Sequence, residues 1–146
     1  MRETVETHGI GEMARDWDVV LATMTDECIY RFYPYGLQVT GVPAQTEMWS
    51  RFFTEAGPLP CFDFTNRLPD GAETTEYVTG DSLLRMGSSS FLDPDGVRLR
   101  ATHVTRFDFR YGLVDSETVF LDATFMRWTD AVFDATFRAL PGVAQI

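Results

Sequence analysis

The stretch that decides the fold runs from Val97 to Asp122 and reads VRLRATHVTRFDFRYGLVDSETVFLD. Apolar and charged residues alternate along it, which is the period of a half-buried strand, and Tyr111-Gly112 interrupts the alternation at its centre. A two-residue turn there sets Arg110 opposite Leu113, and every later pair follows by counting. One face then carries Val97, Leu99, Ala101, His103, Thr105, Phe107 and Phe109, together with Val114, Ser116, Thr118, Phe120 and Asp122. The other carries Arg98, Arg100, Arg106, Asp108 and Arg110, with Asp115 and Glu117. Such segregation marks the first face as the interior, with His103 and Asp122 as its ionisable groups, and sets Arg106 against Glu117 as a surface salt bridge.

Working outward, further strands are expected at 28–33, 37–40, 61–68, 72–79 and 82–92, with the turn DPDG at 93–96. Before them, residues 3–24 read as two helical pieces: a weak one broken by Gly9 and Gly11, and one capped by Asp16 whose stripe is Trp17, Val20, Leu21 and Met24. Pro43 suits the first turn of a helix that buries Ala44, Met48, Trp49, Phe52 and Phe53. A closing helix is expected over 123–140, ended by Pro141-Gly142. Helices followed by a meander of strands make an α+β domain, and 146 residues without a repeat or linker make a single domain over 1–146.

Charge and composition exclude several functions. The 12 basic residues are all arginine against 22 acidic ones, a net charge of -10, so the basic field that nucleic acid requires is missing. Without lysine there is no Schiff-base amine, no pyridoxal phosphate anchor and no phosphate-loop lysine. Cys28 and Cys61 stand far apart with no metal-ligand spacing, so reduced thiols and no metal are expected. No apolar run reaches membrane-spanning length and the first residues are polar, which implies a soluble cytoplasmic protein.

On the inner face, His103 stands opposite Phe120 with Asp122 as its diagonal neighbour, about 7 to 8 Å away by backbone spacing. Burial moves the two pKa values toward neutrality, where acid and base catalysis is efficient, whereas pairing opposes that movement. The same residues have plainer readings. Asp122 stands where an N-cap of the final helix belongs, and His103 suits a core histidine bonded to a carbonyl or a tyrosine hydroxyl. In the strand at 28–33, alternation favours Tyr30 and Phe32 as the inward pair over Tyr33. Trp17, Trp49, Phe53, Phe107 and Phe120 read first as core, and around a cavity they and Thr118 would also touch a ligand. Leu113, Val119 and Leu121 are apolar on the supposedly outer face, which suggests sheet-to-sheet contact in a homodimer.

The run RDWDVVLATMTDECIYRFYPYG, the helix start at Gly41 and the terminal FDFRYGLVDSETVFLD followed by a helix resemble the NTF2-like superfamily, and within it the SnoaL-like polyketide cyclase relatives. The resemblance covers about Glu3 to Arg138 through patterns of spacing. It implies a cone-shaped α+β barrel whose curved antiparallel sheet wraps helices around a deep apolar pocket. It also implies cofactor-free aldol-type ring closure, with Asp122 at the position of the family's acid/base aspartate. By similarity to the superfamily's ketosteroid isomerases, Tyr33 stands in place of the general-base aspartate and His103 in place of the oxyanion-stabilising acid. That makes Tyr33 and Tyr30 both candidates and isomerase chemistry of that particular kind doubtful. The function these readings imply is a cofactor-independent cyclase or isomerase, with Asp122 and His103 moving protons on a hydrophobic, polyketide-like or polycyclic molecule. The alternative is a non-catalytic binding or dimerisation module on the same scaffold.

Overall fold

The computed structural model describes residues 1–53, 73–92 and 96–146, and the strand expected at 61–68, with Cys61, lies outside them. The chain opens with α1 (Arg2–Ala14) and α2 (Trp17–Ala22). Then come β1 (Met24–Tyr33), β2 (Leu37–Thr40) and α3 (Val42–Phe52). β3 (Glu73–Thr79), β4 (Ser82–Leu92), β5 (Arg98–Arg110) and β6 (Leu113–Leu121) follow. The chain closes with α4 (Ala123–Thr129), α5 (Ala135–Arg138) and β7 (Val143–Gln145). The strands form one curved sheet in the order β3-β4-β5-β6-β1-β2-β7, antiparallel except where β6 meets β1 in parallel. Its concave face holds the core, with the helices against it. Among the described residues no helix is long and apolar enough to cross a membrane.

Helix α1 runs unbroken through Gly9 and Gly11, against expectation, and ends instead at Arg15, whose φ of 57° is left-handed. Tertiary packing explains the second glycine. A Cβ on Gly11 would lie 3.0 Å from side-chain carbons of both Val19 and Val20, so α1 rests backbone-first on α2. A Cβ on Gly9 meets nothing within 4 Å. Gly9→Ala is therefore expected to raise stability by about 0.5 to 1 kcal/mol. Gly11→Ala should instead lower it, because Val20 is fully buried and has nowhere to shift; paired thermal melts check both. Asp16 caps α2 as expected, accepting from the Val19 N–H.

Tyr111 and Gly112 turn the β5-β6 hairpin with φ values of 58° and 82°, and Arg110 does pair with Leu113. Counting from there fails within a few residues. Phe109 pairs with Val114 but Asp108 pairs with Ser116, so Asp115 is an extra residue, a β-bulge on β6. Its carboxylate accepts from Thr25 Oγ1 at 2.7 Å and Arg110 Nε at 2.9 Å, which fixes the bulge to β1 and to the hairpin's own end.

Beyond the bulge β6 is reversed relative to expectation. Glu117, Val119 and Leu121 share the inner face of β5's Phe107, Thr105 and His103, while Thr118 and Phe120 face out. Inner rows now cross four strands as Tyr30, Glu117, Phe107, Leu83 and as Phe32, Val119, Thr105, Arg85. The expected Arg106–Glu117 pair does not form, and Arg106 instead binds Asp108 at 2.7 Å. Val119 and Leu121 leave the outer surface, and with them most of the stated basis for a homodimer.

The expected closing helix divides in two. Asp134 accepts from the Phe137 N–H and caps α5, ending what helical propensity alone would continue, and β7 then pairs with β2.

Candidate active site

A cavity of about 470 Å³ lies between the concave face of the sheet and helices α1, α3 and α4. Its lining is largely apolar and includes Phe32, Met48, Phe52, Val119, Leu121 and Phe125, with Arg85, Thr105 and Thr129 among its polar members. At one end four polar side chains converge. Helix α1 supplies Glu12, β1 supplies Tyr30 and β6 supplies Glu117 to the lining, and His8, one turn before Glu12 on the same face of α1, is buried behind them. Tyr30 and Glu117 are register partners in the parallel ladder.

The hydrogen bonds fix the histidine tautomer. Thr23 donates its only hydroxyl proton to the Val20 carbonyl at 2.6 Å, so at 2.7 Å it can only accept from His8 Nδ1. His8 therefore carries Nδ1–H and turns Nε2 toward the cluster, 2.9 Å from the Tyr30 hydroxyl, 3.4 Å from Glu12 Oε1 and 3.8 Å from Glu117 Oε2. When His8 is neutral, Tyr30 donates to Nε2. When Nε2 is protonated the direction reverses, and the phenol proton is released for another acceptor.

Electrostatics keep a proton on the acid. Burial, then the negative charge of Glu12, raise the Glu117 pKa to about 8, against the opposing pull of His8, so its carboxyl is largely neutral at pH 7. Burial alone would lower His8, but Glu12 and Glu117 more than offset it and the net shift is upward. Tyr30 is held well above its ordinary value, chiefly by burial and then by Glu117, so it stays a phenol and a donor. Glu117 Oε2 and the Trp49 indole nitrogen are buried with no hydrogen-bond partner among the described residues, and both residues line the cavity. The Trp49 ring meets Tyr30 edge-on at 6.0 Å. A ligand oxygen at this end would satisfy donors that the protein alone leaves unsatisfied.

The ligating atoms of His8, Glu12 and Glu117 lie within 4.8 Å of one another, a spacing that also admits a metal ion. A cation would have to displace the Glu117 proton, so metal and proton compete for the same atoms.

Of the residues expected from sequence, Tyr30, Trp49, Phe53, Phe107 and His103 line the cavity. Trp17 stands behind that wall, stacked on Trp49 at 5.7 Å. Tyr33, Thr118 and Phe120 take the opposite face of the sheet, and the Tyr33 ring stacks on Phe120 at 5.2 Å, both exposed. Asp122 is the N-cap of α4. Its Oδ1 accepts from the Thr124 and Phe125 N–H groups and its Oδ2 from the Thr102 N–H, so both oxygens face backbone donors, and it is not among the residues that line the cavity. His8, Glu12 and Glu117 are absent from the sequence-based candidates. The parity that Glu117 shares with apolar Val119 and Leu121 was the signal that could have found it.

No family model and no curated protein matches the chain. Solved structures do match. A putative SnoaL-like polyketide cyclase from Shewanella denitrificans aligns with a TM-score of 0.61 at 10% identity, over 86% of this chain and 93% of that one. An NTF2-like protein from Burkholderia xenovorans aligns with a TM-score of 0.59 at 14% identity, over 87% and 93%. A de novo designed protein with a curved β-sheet aligns with a TM-score of 0.56 at 14% identity, over 91% and 97%. A designed chain on the same frame shows that the frame alone assigns no chemistry. What the sheet order, the helices on its concave face and these alignments establish together is that the chain has the NTF2-like fold.

Proposed function

We propose that the protein is an acid-base enzyme, an isomerase or cyclase, acting on a hydrophobic carbonyl compound held in the cavity. The observation that carries this reading is the buried Glu117 carboxyl, which burial and the charge of Glu12 push toward its neutral form, placed with an oxygen that has no hydrogen-bond partner beside Tyr30 and the Trp49 N–H in a largely apolar chamber. Glu12 takes a proton from the carbon next to the substrate carbonyl. Glu117 and Tyr30 donate to the oxygen as the enolate forms, stabilising charge where water is excluded. The proton then returns to a different carbon, or the enolate carbon attacks a second carbonyl, whose π bond breaks as the carbon–carbon bond forms and whose oxygen takes up the proton. His8 links Glu12 to Tyr30 and Glu117, so it can redistribute protons between turnovers. Asp122 is released from the acid-base role by its three backbone hydrogen bonds, and the role passes to Glu117.

The test uses β-tetralone, a bicyclic ketone small enough for the chamber, in heavy water. Purified protein should exchange its α-hydrogens for deuterium faster than buffer does, as followed by proton NMR. Saturable binding without any acceleration would instead favour a binding module.

A further inference from the structure

The sheet wall of the cavity carries a second polar feature, outside the acid-base cluster. Arg85 stands on the inner face of β4 between buried Leu83 and Gly87, and it is the one arginine among the described residues of the lining. Its register partner on β5 is Thr105, which pairs in turn with Val119, so it belongs to the row next to the one that carries Glu117. Two residues of strand separate these rows, about 7 Å.

Contacts within the sheet hold the guanidinium in place. Its register partner on β3 is Glu76, whose Oε1 accepts from both Nε, at 2.8 Å, and Nη2, at 2.7 Å. One edge of the group is thereby used. Phe107, another lining residue, lies under it, with Arg85 Cζ 5.9 Å from the ring centroid. Of the five N–H donors of an arginine, those on Nη1 meet no acceptor among the described residues. What remains is the fork of Nη1 and the second Nη2 hydrogen, the geometry that receives a carboxylate through two parallel hydrogen bonds.

The surrounding charge permits an anion there. Glu76 Oε2 binds Arg2 Nε at 3.2 Å, so two guanidinium groups share one carboxylate and the trio keeps one net positive charge. Glu6 and Glu12 are the acids that α1 adds to the lining. Glu12 is turned to His8 at 3.4 Å, and Glu6 is exposed, where solvent screens it.

We propose that the ligand of this cavity is a keto acid, its carboxylate bound by the fork of Arg85 and its carbonyl set at Glu117 and Tyr30. Glu76 is then a positioning residue for Arg85. The carbonyl end rests on the acid-base reading, whereas the carboxylate contact stands on Arg85 alone. The two ends support each other, because a second negative charge nearby opposes the ionisation of Glu117.

The test compares 5-oxo-5-phenylpentanoate with its methyl ester, which share a ketone and a chain and differ in charge. Titrated calorimetrically into the whole chain, the acid should bind about tenfold more tightly than the ester. Added salt should narrow that preference. Arg85→Met should abolish it and leave ester affinity within about twofold. Arg85→Lys, which keeps the charge but not the fork, should retain part of it, with melts confirming that both variants fold. Equal affinities in the unmodified protein, a preference that survives in folded Arg85→Met, or binding of neither compound would overturn the inference. Deuterium exchange beside the ketone separates the two readings. If the acid is preferred but neither compound exchanges faster than in buffer, the acid-base reading fails and the carboxylate site stands. If both exchange faster without any advantage for the acid, the acid-base reading stands and this inference fails.

Discussion

Glu117→Gln is expected to slow deuterium exchange into β-tetralone by about a hundredfold or more, because glutamine preserves shape but cannot give up a proton. Its alkaline limb should vanish as well. In the unmodified protein the acid is lost as pH rises through about 8, so the exchange rate should fall across that range, whereas the variant has no such group to titrate. Stability carries the same signature. A carboxyl raised from its ordinary 4.5 to about 8 binds more protons folded than unfolded between those values, so its contribution is complete below about 4.5 and is lost as pH rises through 8. His8, also raised, contributes with the same sign, complete below its ordinary 6.5 and lost above. The melting temperature should thus fall between about pH 5 and 8.5, with a free-energy change on the order of a few kcal/mol. In Glu117→Gln most of that slope should disappear.

Deleting Asp115 should be more damaging to the fold than any single substitution on β6. The deletion restores simple alternation from the turn, which would put Thr118 and Phe120 inward and Glu117, Val119 and Leu121 out. It also removes the carboxylate that joins Thr25 and Arg110. Val119 would leave a position where it is 7% exposed, and Phe32 and Thr105 would lose the neighbour that closes their row. The expected result is loss of the cooperative melt. Asp115→Ala, which keeps the extra residue and loses only the carboxylate's contacts with Thr25 and Arg110, should retain a cooperative melt at a lower temperature.

Much of the architecture is legible in local sequence because local rules govern it. Tyr111-Gly112 marks the hairpin, Asp16 the start of α2, and the alternation at Tyr30 and Phe32 the inward side of β1. The expected antiparallel sheet departs from this only at β6 and β1, which run parallel because they meet from distant parts of the chain. The candidate site was less legible for the same reason. One bulge residue, whose side chain is fixed by Thr25, far away in sequence, and by Arg110 beside the turn, reverses the face of every residue after it. Glu117 then read as a surface acid and Thr118 and Phe120 as lining. His8 and Glu12 lie on a helix whose glycines argue locally against it, and only packing on Val19 and Val20 shows why Gly11 is there. Asp122 was legible in both of its readings, and the capping geometry is the one its hydrogen bonds support.

The proton on Glu117 is the centre of this account, and its titration tests it most directly. With carbon-13 at the glutamate carboxyls and Glu117→Gln to assign the signal, NMR should show the Glu117 resonance moving with a midpoint near pH 8. A midpoint near 4.5, the ordinary glutamate value, would mean a carboxylate ionised at neutral pH, and the proposed acid would not exist.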